Sequence, residues 1–139
     1  MKKRAFLLVT HGDMGIETVK SLELLMGEQK NVTGLGLHQG ESVDDLKNKV
    51  LEILDNNKDQ YDETIILVDL LGGSPSNVAL RSLANYRDLK IITGLNLPVL
   101  INLINFTDTE DDTNKLIKDS IEVGQNGMKL IDINFLNNK

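Results

Sequence analysis

Short apolar runs alternate with amphipathic stretches along the whole chain, and that alternation predicts an α/β architecture. Arg4 to Val9, Val32 to Leu37, Thr64 to Val68 and Leu89 to Ile92 contain the apolar segments, the inner ones continuous enough for buried parallel strands. Between the first two, Ile16, Val19, Leu22, Leu25 and Met26 recur at helical spacing until Gly27 supplies a stop. Ser42 with Asp45 resembles a capping box, opening a helix whose Val43, Leu46, Val50, Ile53 and Leu54 face the sheet. Val78, Ala79, Leu83 and Ala84 mark a third helix, and a fourth is predicted from around Pro98. Glu110, Asp111 and Asp112 suit the start of another, with Leu116, Ile117, Ile121 and Val123 as its apolar side. Gly124 and Gly127 then set off Met128 to Phe135, where Ile131, Ile133 and Phe135 alternate with Asp132 and Asn134, the pattern of an edge strand with one wet face. The expected fold is a doubly wound, mostly parallel sheet with helices on both faces.

Two of these strands end in reactive side chains. Asp69 closes the third strand and leads into Leu70-Leu71-Gly72-Gly73-Ser74-Pro75-Ser76-Asn77. Gly72 and Gly73 tolerate backbone angles that other residues resist, Ser74 can cap a helix, and Pro75 fits a first turn, where a missing N–H costs nothing. Amides at such a helix start suit an anion, phosphate above all, which makes Gly72, Gly73 and Ser74 candidate phosphate-binding residues. The first strand runs likewise into Thr10-His11-Gly12-Asp13-Met14-Gly15. In an open parallel sheet the carboxyl ends of the strands share one edge, and ligands bind where strand order reverses, so His11 and Asp69 can meet across a crevice. An imidazole held by a carboxylate is a poised nucleophile or proton carrier, because the acid fixes the tautomer through one ring nitrogen and frees the other.

Plainer duties compete with each of these. A histidine after a strand often serves structure, and Asp69 would equally cap its turn. Thr10, Asn77 and Asn96 suit turns and caps as well as the lining of a crevice. His38 follows the second strand, and with His11 and Asp69 it would supply the ligand types of a zinc or non-haem iron site. It has no partner at characteristic metal-ligand spacing and reads as a solvated loop histidine, so neither metal nor cofactor is expected.

Composition narrows the setting. A length of 139 residues suits a single domain, 1–139, with a real core. The absence of cysteine excludes disulfides and thiolate chemistry and suits the cytoplasm. A formal net charge of -6 argues against nucleic acid as a partner. No signal peptide follows Met1-Lys2-Lys3-Arg4, and no apolar stretch is long enough to span a bilayer, so any membrane connection is expected through a partner.

Three segments, Val9-Thr10-His11-Gly12, Asp69 to Asn77, and Thr93-Gly94-Leu95-Asn96-Leu97-Pro98-Val99-Leu100, together resemble the enzyme IIA domains of the mannose/fructose/sorbose-type sugar phosphotransferase system. The likeness covers nearly the whole chain in order and spacing. It implies that His11 accepts a phosphoryl group through Nε2 from the phosphocarrier protein HPr and passes it to a histidine of a IIB subunit, with Asp69 holding Nδ1–H. Amides at Gly72 to Ser74 would offset the phosphoryl charge, with Thr10 beside them. Neither magnesium nor a nucleotide is required, because the donor is already a phosphohistidine. With nothing after Lys139, IIB and the membrane permease are expected on separate chains. The resemblance also implies a homodimer in which the last strand runs antiparallel and is exchanged, shielding a sheet edge.

Rival phosphate-handling readings fit less well. An aspartyl-phosphate receiver also places an Asp after its third strand, yet Thr10-His11 stands where it needs acidic residues for magnesium. A histidine phosphatase has an arginine beside its histidine, and a P-loop needs Gly-Lys-Ser/Thr, which is absent. The phosphotransfer subunit of dihydroxyacetone kinase shares the fold but lacks the Asp-Leu-Leu-Gly-Gly-Ser-Pro pattern. A regulatory domain that reads phosphorylation state is the alternative from another class.

Overall fold

The computed structural model describes residues 1–138. Strands β1 (Arg4–His11), β2 (Val32–Leu37), β3 (Glu63–Val68) and β4 (Lys90–Thr93) form one sheet in the order β2-β1-β3-β4. All three pairings are parallel, and Val9 lies between Leu35 of β2 and Val68 of β3. From β1 the chain passes through α1 (Met14–Met26) to β2, then through α2 (Val43–Asn57) to β3 on the other side of β1. Strand order therefore reverses between β1 and β3. Beyond β3 come α3 (Ser74–Ser82), β4, α4 (Leu97–Phe106), α5 (Thr113–Asn126) and a short α6 (Ile133–Asn137).

The core divides by strand alternation. Phe6, Leu8, Ile65 and Leu67 pack with Leu22 of α1, Leu100 and Leu103 of α4 and Leu116 of α5. Leu7, Val9, Ile66 and Val68 pack instead with Val50 and Leu54 of α2 and Val78 and Ala79 of α3. Successive strand residues point to opposite sides of a sheet, so β1 and β3 are buried on both sides, which is why their sequences are apolar without interruption.

Local signals explain most element ends. Gly27, at φ 81°, ends α1 and donates its N–H to the Glu23 carbonyl. The Ser42 hydroxyl accepts from the Asp45 N–H at the start of α2, and Asn96 does the same for Val99 at the start of α4. Leu25 and Val43, both expected on the buried side of their helices, are instead exposed. Gly124 does not break α5. It is buried inside that helix, where a Cβ would lie 2.7 Å from Val99 Cγ2, so its smallness lets α5 approach α4.

The last third corrects one expectation. Met128 to Phe135 is not an antiparallel edge strand: residues 128–132 are irregular, and the chain then turns into α6, capped by the Asp132 carboxylate on the Asn134 N–H. A strand obtains its hydrogen bonds only from a neighbouring strand, whereas the local bonds of a short helix are available within one chain. The described sheet is wholly parallel. Met128, Leu130, Ile131, Ile133 and Leu136 are left exposed.

At the amino ends of the strands, Arg4 is buried at 2% exposure. Its guanidinium donates to Glu63 Oε2 at 3.1 Å, the Thr107 carbonyl at 2.9 Å, the Asp111 carbonyl at 3.1 Å and Thr113 Oγ1 at 3.0 Å. The α4–α5 connection is thereby tied to the sheet, at the end remote from His11. Among the described residues, no helix is long and apolar enough to cross a membrane.

Candidate functional site

His11 is the last residue of β1, and Asp69 follows the last residue of β3, so the parallel β1–β3 pairing carries both to the same sheet edge at the point of strand reversal. Asp69 Oδ2 accepts the His11 backbone N–H at 2.9 Å and lies 2.8 Å from His11 Nδ1. Asp69 Oδ1 accepts the Leu70 N–H at 3.0 Å. An ionised carboxylate only accepts, so this geometry requires the proton on Nδ1, and in the neutral ring that tautomer leaves Nε2 with its lone pair. Burial alone would raise the Asp69 carboxyl, but the hydrogen bonds from the His11 amide, the His11 ring and the Leu70 amide outweigh it and hold the acid below its ordinary value. The Asp69 side chain is 8% exposed and that of His11 49%, so a shielded acid orients an accessible ring.

Gly73 completes the arrangement. A Cβ there would lie 2.5 Å from His11 Cε1 and 3.0 Å from Nε2, so only glycine lets the ring rest against the chain. Gly73 is also the residue that caps α3, with Ser74 and Pro75 in the first turn, where helix geometry leaves amides without intrahelical acceptors. This corrects the capping role expected of Ser74. The Gly72 N–H donates to Ser76 Oγ at 3.0 Å, and Gly72 has φ 104°, so Gly72 shapes the turn with its amide already occupied. Thr10 is wholly buried, and its hydroxyl accepts the Gly15 N–H at 2.8 Å, fixing the start of α1 rather than lining the open site. Asn96 caps α4 and donates to the Gly124 carbonyl.

The His38 ring lies between Asp13 and Glu41, with one carboxylate on each ring nitrogen. Sequence reasoning passed over two contributors. Ser76 holds the glycine turn, and Gly36 gives room for the loop after His11, since a Cβ there would lie 1.9 Å from the Gly12 carbonyl oxygen. The glycines at 34 and 36 inside a strand were the available signal of such a close approach.

Residues 5–121 match the family described as the PTS system fructose IIA component. The chain is 32% identical over 130 residues to the PTS system mannose-specific EIIAB component of Escherichia coli (strain K12), covering 91% of this chain and 39% of that protein. It thus spans well under half the length of that relative. With the fructose-specific EIIA component of Bacillus subtilis (strain 168), identity is 29% over 98 residues, covering 70% of this chain and 66% of the other. Among solved structures, EIIA from Streptococcus agalactiae superposes with a TM-score of 0.82 at 27% identity, covering 95% of this chain and 98% of that one. The mannose/sorbose-specific IIA subunit from Enterococcus faecalis also gives 0.82 at 27% identity, with 94% and 96% covered. A strand-end histidine held by a carboxylate thus sits in a fold and sequence that match such components over most of the chain, and the chain belongs to the mannose/fructose/sorbose family of phosphotransferase-system IIA components.

Proposed function

We propose that this protein is a phosphocarrier in which His11 receives a phosphoryl group from the phosphohistidine of HPr and passes it to a histidine of a IIB partner. The observation that carries this reading is the pairing of His11 Nδ1 with Asp69 at 2.8 Å, on a ring whose other nitrogen lies beside Gly73 at an open edge. In the transfer, Nε2 attacks phosphorus as the N–P bond of the donor breaks, and the donor ring keeps the electron pair of that bond and returns to the neutral imidazole. The phosphorylated His11 ring carries positive charge, which the Asp69 carboxylate stabilises. Amides of Gly73 and Ser74 at the start of α3 offset the charge of the phosphoryl oxygens. A second transfer to the IIB histidine reverses these steps and restores the neutral ring.

Exposed apolar side chains beside the site support protein partners in place of a small substrate. Met14, the first residue of α1, and Leu70 and Leu71, in the turn after Asp69, are 46%, 52% and 66% exposed. The IIA component handles phosphate alone in this reading, and the sugar is chosen by the permease. The exposed apolar stretch from Met128 to Leu136 supports a homodimer through that segment.

Incubation with enzyme I, HPr and phosphoenolpyruvate tests the assignment. One acid-labile phosphate is expected, lost in His11→Ala, retained in His38→Ala and chased by added IIB. Label that persists in His11→Ala would overturn the site, and label that cannot be chased would make the protein a regulatory reader of phosphorylation.

A further inference from the structure

His38 repeats the geometry of His11 with one addition. Glu41 Oε1 accepts the His38 backbone N–H at 2.7 Å and lies 2.5 Å from its Nδ1, as Asp69 does for His11. On His38 the second nitrogen is also engaged, with Nε2 2.6 Å from Asp13 Oδ1. Two carboxylates thus face one ring from two loops, Glu41 from the β2–α2 turn and Asp13 from the loop that leaves His11. A neutral imidazole has one donor and one acceptor, so only the imidazolium satisfies both contacts.

Asp13 has given up another role to make this contact. It occupies the cap position of α1, where an aspartate ordinarily accepts from the helix's first amides, yet its side chain makes no cap hydrogen bond. The loop it belongs to rests on the same stretch of chain throughout. The Gly12 N–H donates to the Leu37 carbonyl at 2.8 Å, and Gly36 packs directly beneath the Gly12 carbonyl.

We propose that His38 is a positioning residue: as an imidazolium it clamps the loop that follows His11 to the β2–α2 turn, and it releases that loop on losing its proton. Glu41 is held additionally by the His38 amide and by its own N–H to the His38 carbonyl, so Asp13 is the partner released. The released carboxylate stands two residues from His11, an uncompensated negative charge on the loop that must receive a phosphoryl group. The charged groups around His38 are Asp13, Glu41 and, facing Glu41 from α2, Lys49. Hydrogen bonds to Asp13 and then Glu41 raise His38 above its ordinary value of 6.5. A raised histidine contributes order that is complete below its unperturbed pKa of 6.5 and is lost as pH rises through the higher folded value, so the clamp holds on the acid side of that value and opens above it.

The catalytic consequence rests on the phosphoryl-transfer reading, but the clamp itself is tested on unphosphorylated protein, so either can fail without the other. NMR titration of wild type, Asp13→Asn and Glu41→Gln, between roughly pH 5 and 9, follows both histidine rings and the Gly12 and Asp13 amides. In wild type His38 should titrate above 6.5 with the two amides shifting at the same midpoint, and Asp13→Asn should lower that midpoint and uncouple the Gly12 amide. In the transfer assay the wild-type rate should fall roughly two- to fivefold through the same midpoint, the scale of an exposed ion pair, and His38→Gln should show no such inflection. Gly12 and Asp13 amides indifferent to the titration of His38, or an inflection that survives in His38→Gln, would overturn the proposal.

Discussion

A single oxygen, Oδ2 of Asp69, binds His11 twice, at its backbone N–H and at ring Nδ1, at 2.9 and 2.8 Å. The double contact ties the ring to its own backbone, so side-chain torsion and tautomer are set together. Asp69→Asn tests this. An amide offers a neutral oxygen or an N–H donor, and the latter reverses the tautomer by placing the proton on Nε2. With a charge-assisted bond of about 1.5–3 kcal/mol at stake, phosphoryl acceptance should slow by about 10- to 150-fold, with phosphate still bound at His11. Rapid-quench measurement with phospho-HPr checks it, and an unchanged rate would leave Asp69 as a turn residue.

Gly73→Ala separates the site from the fold. Gly73 has φ -91° and ψ 173°, which alanine adopts freely, so the backbone gives no reason for the variant to misfold. Its new Cβ would stand 2.5 Å from His11 Cε1 and must displace the ring. Stability should change by less than about 1 kcal/mol, the usual range for a compatible glycine substitution. Transfer should fall at least about tenfold, since small misplacements of a reacting group are costly. Denaturant unfolding alongside the transfer assay reads both quantities.

Legibility in the sequence followed the range of the interactions. The runs at Phe6 to Val9 and Ile65 to Val68 announced buried parallel strands because burial on both sides demands continuous apolar residues. His11 and Asp69 were legible for the same reason, since parallel strands of known ends put their last residues on one edge. Capping at Ser42 was local and was read correctly. Arg4 was placed at the start of the first strand, but its burial was not legible, because its partners Thr107, Asp111 and Thr113 are brought to it by the tertiary fold. Ser74 and Thr10 misled because a hydroxyl near a glycine turn suits an anion or an amide equally, and only the fold shows Thr10 spent on Gly15. At Met128 to Phe135 the alternation was real, but alternation specifies a strand only where a neighbour can pair with it.

The Arg4 network predicts the acid limb of stability. Burial alone would raise the Glu63 carboxyl, but hydrogen bonds from Thr113, Lys2 and Arg4 outweigh it and hold the acid below its ordinary value, as with Asp69. A depressed carboxylate contributes stability that is complete above its unfolded pKa and lost as pH falls through the folded value. Stability should therefore be flat on this account near neutrality and decline only below the ordinary carboxylate range. Glu63→Gln should destabilise the neutral protein by about 1.5–3 kcal/mol, because it weakens a charged contact to a buried guanidinium, and should flatten the acid decline. Urea unfolding of both proteins as a function of pH measures the slope.

The segment after α5 makes the assembly testable. Met128 and Leu130 are 86% and 90% exposed, and among the described residues the two core clusters and the side chains packed against them include none beyond Ile121, so removing the segment should leave the fold of the remaining chain intact. Exposed side chains of this kind become buried only by self-association or by a partner. Sedimentation equilibrium of the full chain should therefore show a dimer, and truncation after Gly127 should give a folded monomer with similar circular dichroism. Phosphoryl acceptance by that monomer should be retained, because Asp69 and Gly73, which hold the His11 ring, both lie well before the cut. A truncated protein that still sediments as a dimer would place the interface elsewhere, and one that loses phosphorylation while remaining folded would mean that the second subunit contributes to the site.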